Sequence, residues 1–147
     1  MNKTNVIWPN GPFSLPDEGE YEKTIKKLNI TRNQFYMVGK YNMPLIKKDE
    51  IDFDNFDLIQ ITKTQIENNE NAHKTVHFFT YDWLFDNVYD KADKAIEKLE
   101  KYYALMTPDF SIYEDMPLPI QMYNAFKNRW CGAYWQSLGL NLRAQGV

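Results

Sequence analysis

Short apolar runs recur along the chain from Phe35 onward and predict β-strands. They are rich in β-branched and aromatic residues, which favour strands. The runs span residues 35–38, 56–62, 75–80 and 103–106. The last run stops before Pro108, which has no N–H to donate to a ladder. Leu140 and Leu142 indicate one more strand near the carboxyl terminus, whereas residues 40–46 contain Pro44 and are predicted to form a loop or an edge segment.

Residues 81–102 show the three- and four-residue spacing of apolar positions that is typical of helices. Trp83, Leu84 and Val88 are expected to face the core, and Asp82 is expected to cap the amino terminus. The charged residues that follow have the pattern of an ordinary solvent-exposed helix face.

A longer helix is predicted from Asp115, its expected N-cap, to Leu138, with Gly139 as the stop signal. Its large apolar residues recur on one face, and this aromatic stripe is expected to lie in the core. The stripe consists of Ile120, Tyr123, Phe126, Trp130, Tyr134 and Leu138.

The order of elements predicts an α/β fold with a small, mostly parallel sheet of three to five strands and flanking helices. Strand–helix–strand spacing favours parallel neighbours joined by right-handed crossovers. We expect an extended arm over residues 1–20, which are rich in proline and glycine, and a single α/β domain over residues 21–147. The edge of the sheet that follows the last helix is expected to be open. An open edge can pair with another chain, so a homodimer is possible.

Composition narrows the classes of function. The chain has 147 residues, 44% of them hydrophobic and 16% aromatic, with a net charge of −3, which argues against a general binder of phosphate backbones. Residues 116–147 contain no Asp or Glu but hold Lys127, Arg129 and Arg143, so this end is locally basic. The lone Cys131 and the lack of a long apolar run predict a soluble, cytoplasmic protein without membrane association.

Four strings carry a resemblance to a known family. They are GKYNMPLI at residues 39–46, VHFF at 76–79, PDFSIYEDMPL at 108–118 and NRWCGAYWQSLG at 128–139. The chain resembles the uncharacterised family DUF4417, whose members occur in phages, plasmids and Firmicutes genomes. The resemblance implies a mobile-element setting but no reaction and therefore no catalytic residues. It also implies that this chain lacks the carboxyl-terminal part that family members have.

The residues themselves suggest one candidate catalytic site, in the loop that follows the strand at 103–106. Ligands of open α/β sheets lie beyond the carboxyl ends of strands. Asp109 and Asp115 could act as acid and base or hold a metal, while Arg129 could bind phosphate and Gln136 could face the same crevice. The structural alternative is that Asp109 closes a turn, Asp115 caps the helix and Arg129 pairs with one of the two. No resident metal or cofactor is predicted.

Our preferred hypothesis is binding rather than catalysis. We predict a phage or mobile-element accessory protein that binds and modulates or inhibits a host or defence-system protein, for example a nucleic-acid-guided nuclease. The predicted binding residues are Trp8, Asp49, Asp52, Asp54, Lys127, Arg129, Trp135 and Gln136. Trp, Tyr and Arg are the residue types that most often anchor interfaces.

Two alternatives remain. One is a nucleotide- or nucleic-acid-processing enzyme that acts through Asp109, Asp115 and Arg129. The other is a module in which the last helix binds nucleic acid by stacking and by Lys and Arg contacts to phosphates. Its few basic residues predict weak or indirect binding of nucleic acid.

Overall fold

A parallel sheet lies at the centre of the structure, which confirms the predicted α/β fold. The computed structural model describes residues 35–49 and 57–143. Its strands are β1 (Met37–Val38), β2 (Met43–Pro44), β3 (Leu58–Gln60), β4 (Thr75–His77), β5 (Ala104–Met106) and β6 (Leu142–Arg143). Strands β3 to β6 form a four-stranded sheet in sequential order, with every neighbouring pair parallel. Strand β6 confirms the strand indicated by Leu140 and Leu142.

The helices in the described residues are α1 (Asn87–Asp90), α2 (Ala92–Leu99) and α3 (Leu118–Ser137). Short 3₁₀ turns cover Ile61–Lys63 and Asp82–Leu84. No helix in this part of the chain is long and apolar enough to span a bilayer. All described residues fall in one unit, Arg32–Val147. The arm at residues 1–20 lies outside the described residues, so the domain boundaries stay a prediction.

One row of side chains across the sheet anchors the core. The strand register aligns Ile59, Val76, Leu105 and Leu142, and all four are buried in one cluster with residues of α1, α2 and α3. Right-handed crossovers between sequential strands place their connections on one face of the sheet. The helices therefore pack over this row.

The predicted N-cap of α3 is wrong. Asp115 is not its N-cap, because α3 begins after Pro117, which makes no side-chain cap hydrogen bond. Proline suits this end because the first N–H groups of a helix have no partner within it. At the other end the positive φ of Gly139, +79°, agrees with the predicted stop signal.

The predicted aromatic stripe of α3 is buried only in part: Trp130 lies in the core, and Phe126 and Tyr134 pack against it. Ile120, Tyr123 and Leu138 are exposed. The buried positions of α3 are Asn124, Trp130, Cys131, Gly132, Ala133 and Trp135. Helix α3 contacts both β2 and β6, and it comes closest at Gly132, where a Cβ atom would meet Ile46 and Leu142.

Strands β1 and β2 form an antiparallel hairpin that packs on α3. Its turn uses positive φ angles at Gly39 (+76°) and Asn42 (+50°), conformations that these two residue types adopt most readily. Pro44 lies in β2 and is buried, which agrees with the predicted edge segment.

Candidate functional site

The loops that follow β4 and β5 meet at the carboxyl end of the sheet. The Asp82 carboxylate accepts hydrogen bonds from the Ser111 N–H (3.0 Å) and the Ser111 Oγ (2.9 Å). The prediction that Asp82 caps a helix is therefore wrong, because no side-chain cap is formed at this turn and the carboxylate binds the second loop instead. The Asp82–Ser111 pair joins two loops that are distant in sequence.

Helix α3 holds the loop that follows β5 through two side-chain amides. Its Asn124 side-chain amide donates to the Ser111 carbonyl and its Asn128 amide donates to the Pro108 carbonyl, both at 2.6 Å. Residues four apart lie on the same helix face, so both amides point at the same loop. The loop is held by two of its backbone carbonyls and by the buried ring of Phe110.

Large aromatic side chains stand out from these two loops. The rings of Tyr81 and Trp83 stack with centroids 4.4 Å apart and planes 8° from parallel, and they are 64% and 67% exposed. The prediction that Trp83 and Leu84 face the core is wrong, since both are exposed. We define the aromatic surface as the exposed Phe79, Tyr81, Trp83, Leu84, Ile112, Tyr113, Leu118, Ile120 and Tyr123.

Acidic residues are interspersed in the sequence with the residues of the aromatic surface. Neither residues 79–90 nor residues 107–126 contain a Lys or an Arg. The acidic side chains in these two stretches are Asp82, Asp86, Asp90, Asp109, Glu114 and Asp115. Burial raises the pKa of Asp86, and its neighbours Asp90 and Asp82 raise it further, while Lys127 lowers it. The surface is therefore aromatic and acidic.

The side chain of Lys127, which follows the second of these stretches, also reaches this region. Its amine lies 4.2 Å from the ring centroid of Phe110 and 5.0 Å from that of Tyr123. A cation at such distances is attracted by the ring faces. Lys127 was predicted as a binding residue, and here it is half-buried against the domain's own rings.

No ion pair within the described residues joins the predicted catalytic residues to one another. Asp109 and Asp115 are exposed, and within the described residues Arg129 forms no ion pair with either of them. Gln136 lies elsewhere, because its side-chain amide bonds the N–H and the carbonyl of Lys47 (2.9 and 2.7 Å). The suggestions that Arg129 pairs with one of these aspartates and that Gln136 faces their crevice are wrong. A catalytic role for Asp109, Asp115 or Arg129 stays a prediction.

Two of the predicted binding residues, Asp49 and Trp135, make contacts within the domain itself. Asp49 accepts hydrogen bonds from the Leu142 N–H (2.9 Å) and from Gln136 (3.3 Å). Trp135 was expected to be exposed, but it is 1% exposed and packs against Phe78. The remaining predicted residues Trp8, Asp52 and Asp54 lie outside the described residues.

Sequence reasoning missed the Asp82–Ser111 pair and the exposure of Trp83. Local spacing gave no signal for either, because Trp83 lies in the 3₁₀ turn Asp82–Leu84, where side chains do not follow the two-residue period of a strand. Among the described residues, no group of three or more His, Cys, Asp or Glu side chains is arranged to hold a metal ion.

Comparison with known proteins gives a family but no reaction. The chain is similar to the "Gene 1 protein" of Mycobacterium phage L5, with 37% identity over 67 residues that cover 46% of this chain and 29% of the phage protein. It is similar to the "Gene 1 protein" of Mycobacterium phage D29, with 39% identity over 67 residues that cover 46% of this chain and 25% of that protein. The matched part thus spans less than a third of either relative, and no solved structure matches. The DUF4417 model, described as a domain of unknown function, matches residues 35–144, and the chain therefore belongs to this phage-associated family.

Proposed function

We propose that this domain acts by binding a host or defence-system protein through the aromatic surface, and that the partner presents Lys and Arg side chains. The observation that carries the proposal is the exposed Tyr81–Trp83 stack between acidic loops. Large exposed apolar patches on soluble proteins commonly mark interaction sites.

The stack is suited to binding because it is already ordered. Tyr81 and Trp83 are held against each other, and the loop that carries them is bonded to Ser111 through Asp82. Association costs free energy for every side chain that becomes immobilised. A preformed aromatic anchor reduces that cost, and Trp and Tyr dominate measured binding energies at interfaces.

Charge supports a basic protein partner over nucleic acid. The acidic residues at 79–90 and 107–126 are not balanced by any Lys or Arg in those stretches. They repel phosphates and attract Lys and Arg, which steers a basic partner to this face. A basic protein surface therefore fits the site better than a phosphate backbone does.

The experiment compares three tagged proteins in nuclease-treated bacterial host lysate: wild type, Trp83→Ala and Tyr36→Ala. Tyr36 lies next to β1 and is 76% exposed, so it controls for the loss of an exposed aromatic side chain. A protein retained by the wild type is purified, and its affinity for each variant is measured by calorimetry.

We expect the captured protein to have a basic surface and to bind Tyr36→Ala as it binds wild type. We expect Trp83→Ala to weaken binding by about tenfold or more, as for an interface anchor. Equal binding by Trp83→Ala, or capture of nothing by the wild type, would overturn the proposal. Thermal melting of each variant checks that the fold is intact.

A further inference from the structure

We propose that the aromatic surface recognises arginine in particular, with a guanidinium group stacked on the exposed face of the Tyr81–Trp83 pair and bonded to a neighbouring carboxylate. This inference rests on the proposed function, since it names the chemistry of the partner at the same surface.

The domain already holds one cation over ring faces. The Lys127 amine lies over the rings of Phe110 and Tyr123, 4.2 and 5.0 Å from their centroids. Two ring faces thus hold a cation at this end of the sheet. The Tyr81–Trp83 pair offers exposed ring faces on the solvent side, and Asp82, which separates the two residues in the sequence, supplies a carboxylate on the same loop.

The carboxylate of Asp82 has capacity for another donor. An ionised carboxylate has about four lone-pair positions on its two oxygens. Ser111 uses one position on each oxygen, through its N–H and its Oγ. Asp82 can therefore hold the loops together and still accept N–H groups from an arginine stacked beside it.

The exposure of the stack selects guanidinium over ammonium. An ammonium group is strongly hydrated and gains little from an exposed ring, whereas a planar, weakly hydrated guanidinium stacks on the ring and keeps its N–H groups free at the edge. The flat face formed by Tyr81 and Trp83, with planes 8° apart, matches that planar group. Stacking on the rings and hydrogen bonds from the edge of the guanidinium group then both contribute to binding.

The test uses three peptides of alternating glycine and a second residue: arginine, lysine or citrulline. The lysine peptide has the same charge, and the citrulline peptide has the same planar shape without the charge. Binding is followed by the indole ¹H–¹⁵N signal of Trp83, which the Trp83→Phe variant identifies. The buried Trp130 and Trp135 provide reference signals within the same protein.

We expect the arginine peptide to shift the Trp83 signal and to bind about fivefold more tightly than the lysine peptide, with no shift from citrulline. Tyr81→Ala should lose the binding, while Tyr36→Ala should keep it. Equal binding of arginine and lysine, or binding of citrulline, would overturn the inference.

The two proposals can fail separately. If a captured partner depends on Trp83 but the arginine peptide does not displace it, the arginine inference is wrong and the proposed function stands. If the partner binds Trp83→Ala as it binds wild type, both are wrong.

Discussion

Among single residues, Gly132 shows most directly how closely α3 approaches the sheet. A methyl group at Gly132 would lie 2.8 Å from Ile46 Cδ1 and 3.0 Å from both Leu142 Cδ2 and Thr107 Cγ2. Thr107 and Leu142 are buried, so they have little room to move. The position accepts hydrogen as its side chain and nothing larger without repacking.

We expect Gly132→Ala to destabilise the protein although alanine favours helices. Overpacking costs about 1–3 kcal/mol, and the gain in helix propensity is about 1 kcal/mol, so the net loss is about 1 kcal/mol. Urea unfolding measures it. Ala125→Gly on the same helix measures the propensity contribution separately. A Gly132→Ala variant more stable than wild type would contradict the close packing.

His77 makes the stability depend on pH. Burial lowers the pKa of His77 from its ordinary value of 6.5, and its Nδ1 accepts the Phe79 N–H at 3.3 Å. The folded protein therefore binds this proton less readily than the unfolded chain does. The contribution of His77 to the free energy of unfolding is therefore complete above pH 6.5. It declines as the pH falls below 6.5 toward the lowered pKa.

We predict that the His77→Gln variant loses less stability than wild type as the pH falls below 6.5. Melting temperatures of the two proteins at each pH measure this. Burial raises the pKa of Asp86, which acts in the opposite direction in both proteins and cancels in the comparison. His73→Gln, at the exposed pair with Asp57, is the control for the other histidine. Parallel curves for wild type and His77→Gln would show the prediction wrong.

Among the elements, α3 has two halves that differ in how far their large side chains are buried. Its carboxyl half packs Trp130 and Trp135 into the core. Its amino half leaves Leu118, Ile120 and Tyr123 exposed next to the acidic loops. Aromatic residues occur on both sides of this helix, so their periodicity alone does not indicate which side is buried.

Two tryptophans that look alike in sequence should differ in their effect on stability. Trp135→Ala should lower the free energy of unfolding by about 3–5 kcal/mol because it leaves a cavity against Phe78. Trp83→Ala should change it by less than about 0.5 kcal/mol because that ring is solvent-exposed. Urea unfolding compares them, and Trp135→Phe gives an intermediate value if the alanine variant does not fold. Equal losses would contradict the assigned positions.

In the molecule as a whole, Asp49 fastens the end of the hairpin segment to the edge of the sheet. Asn141 and Arg143 direct their carbonyls to β5, so the Leu142 N–H points outward, where Asp49 accepts it. Gln136 bonds Lys47 and Asp49 together. The outward N–H of β6 at Leu142 is thereby kept from pairing with another chain.

We expect Asp49→Ala to lower the free energy of unfolding by about 1–3 kcal/mol, since the Leu142 N–H loses its charged acceptor. Asp49→Asn keeps an acceptor oxygen and should recover part of the loss. Chemical unfolding measures both variants. If Asp49→Ala were as stable as wild type, Asp49 would be free to serve as the binding residue that its sequence context suggested.

The sequence by itself determined the parallel α/β sheet and the family. Strands and their order follow from local apolar runs and connection lengths, and Gly139 ends α3 because its backbone tolerates a positive φ. Family strings are local as well. These features depend on neighbours in the chain, which a sequence displays directly.

Only the tertiary structure decided which side chains meet and which face water. Ser111 and Asp82 are 29 residues apart, and Asp49 and Leu142 are 93 apart. Trp83 and Trp135 have the same side chain, yet packing between the sheet, the hairpin and α3 buries only Trp135. Burial and pairing are properties of the assembled layers, because a side chain is removed from water only when distant segments close over it.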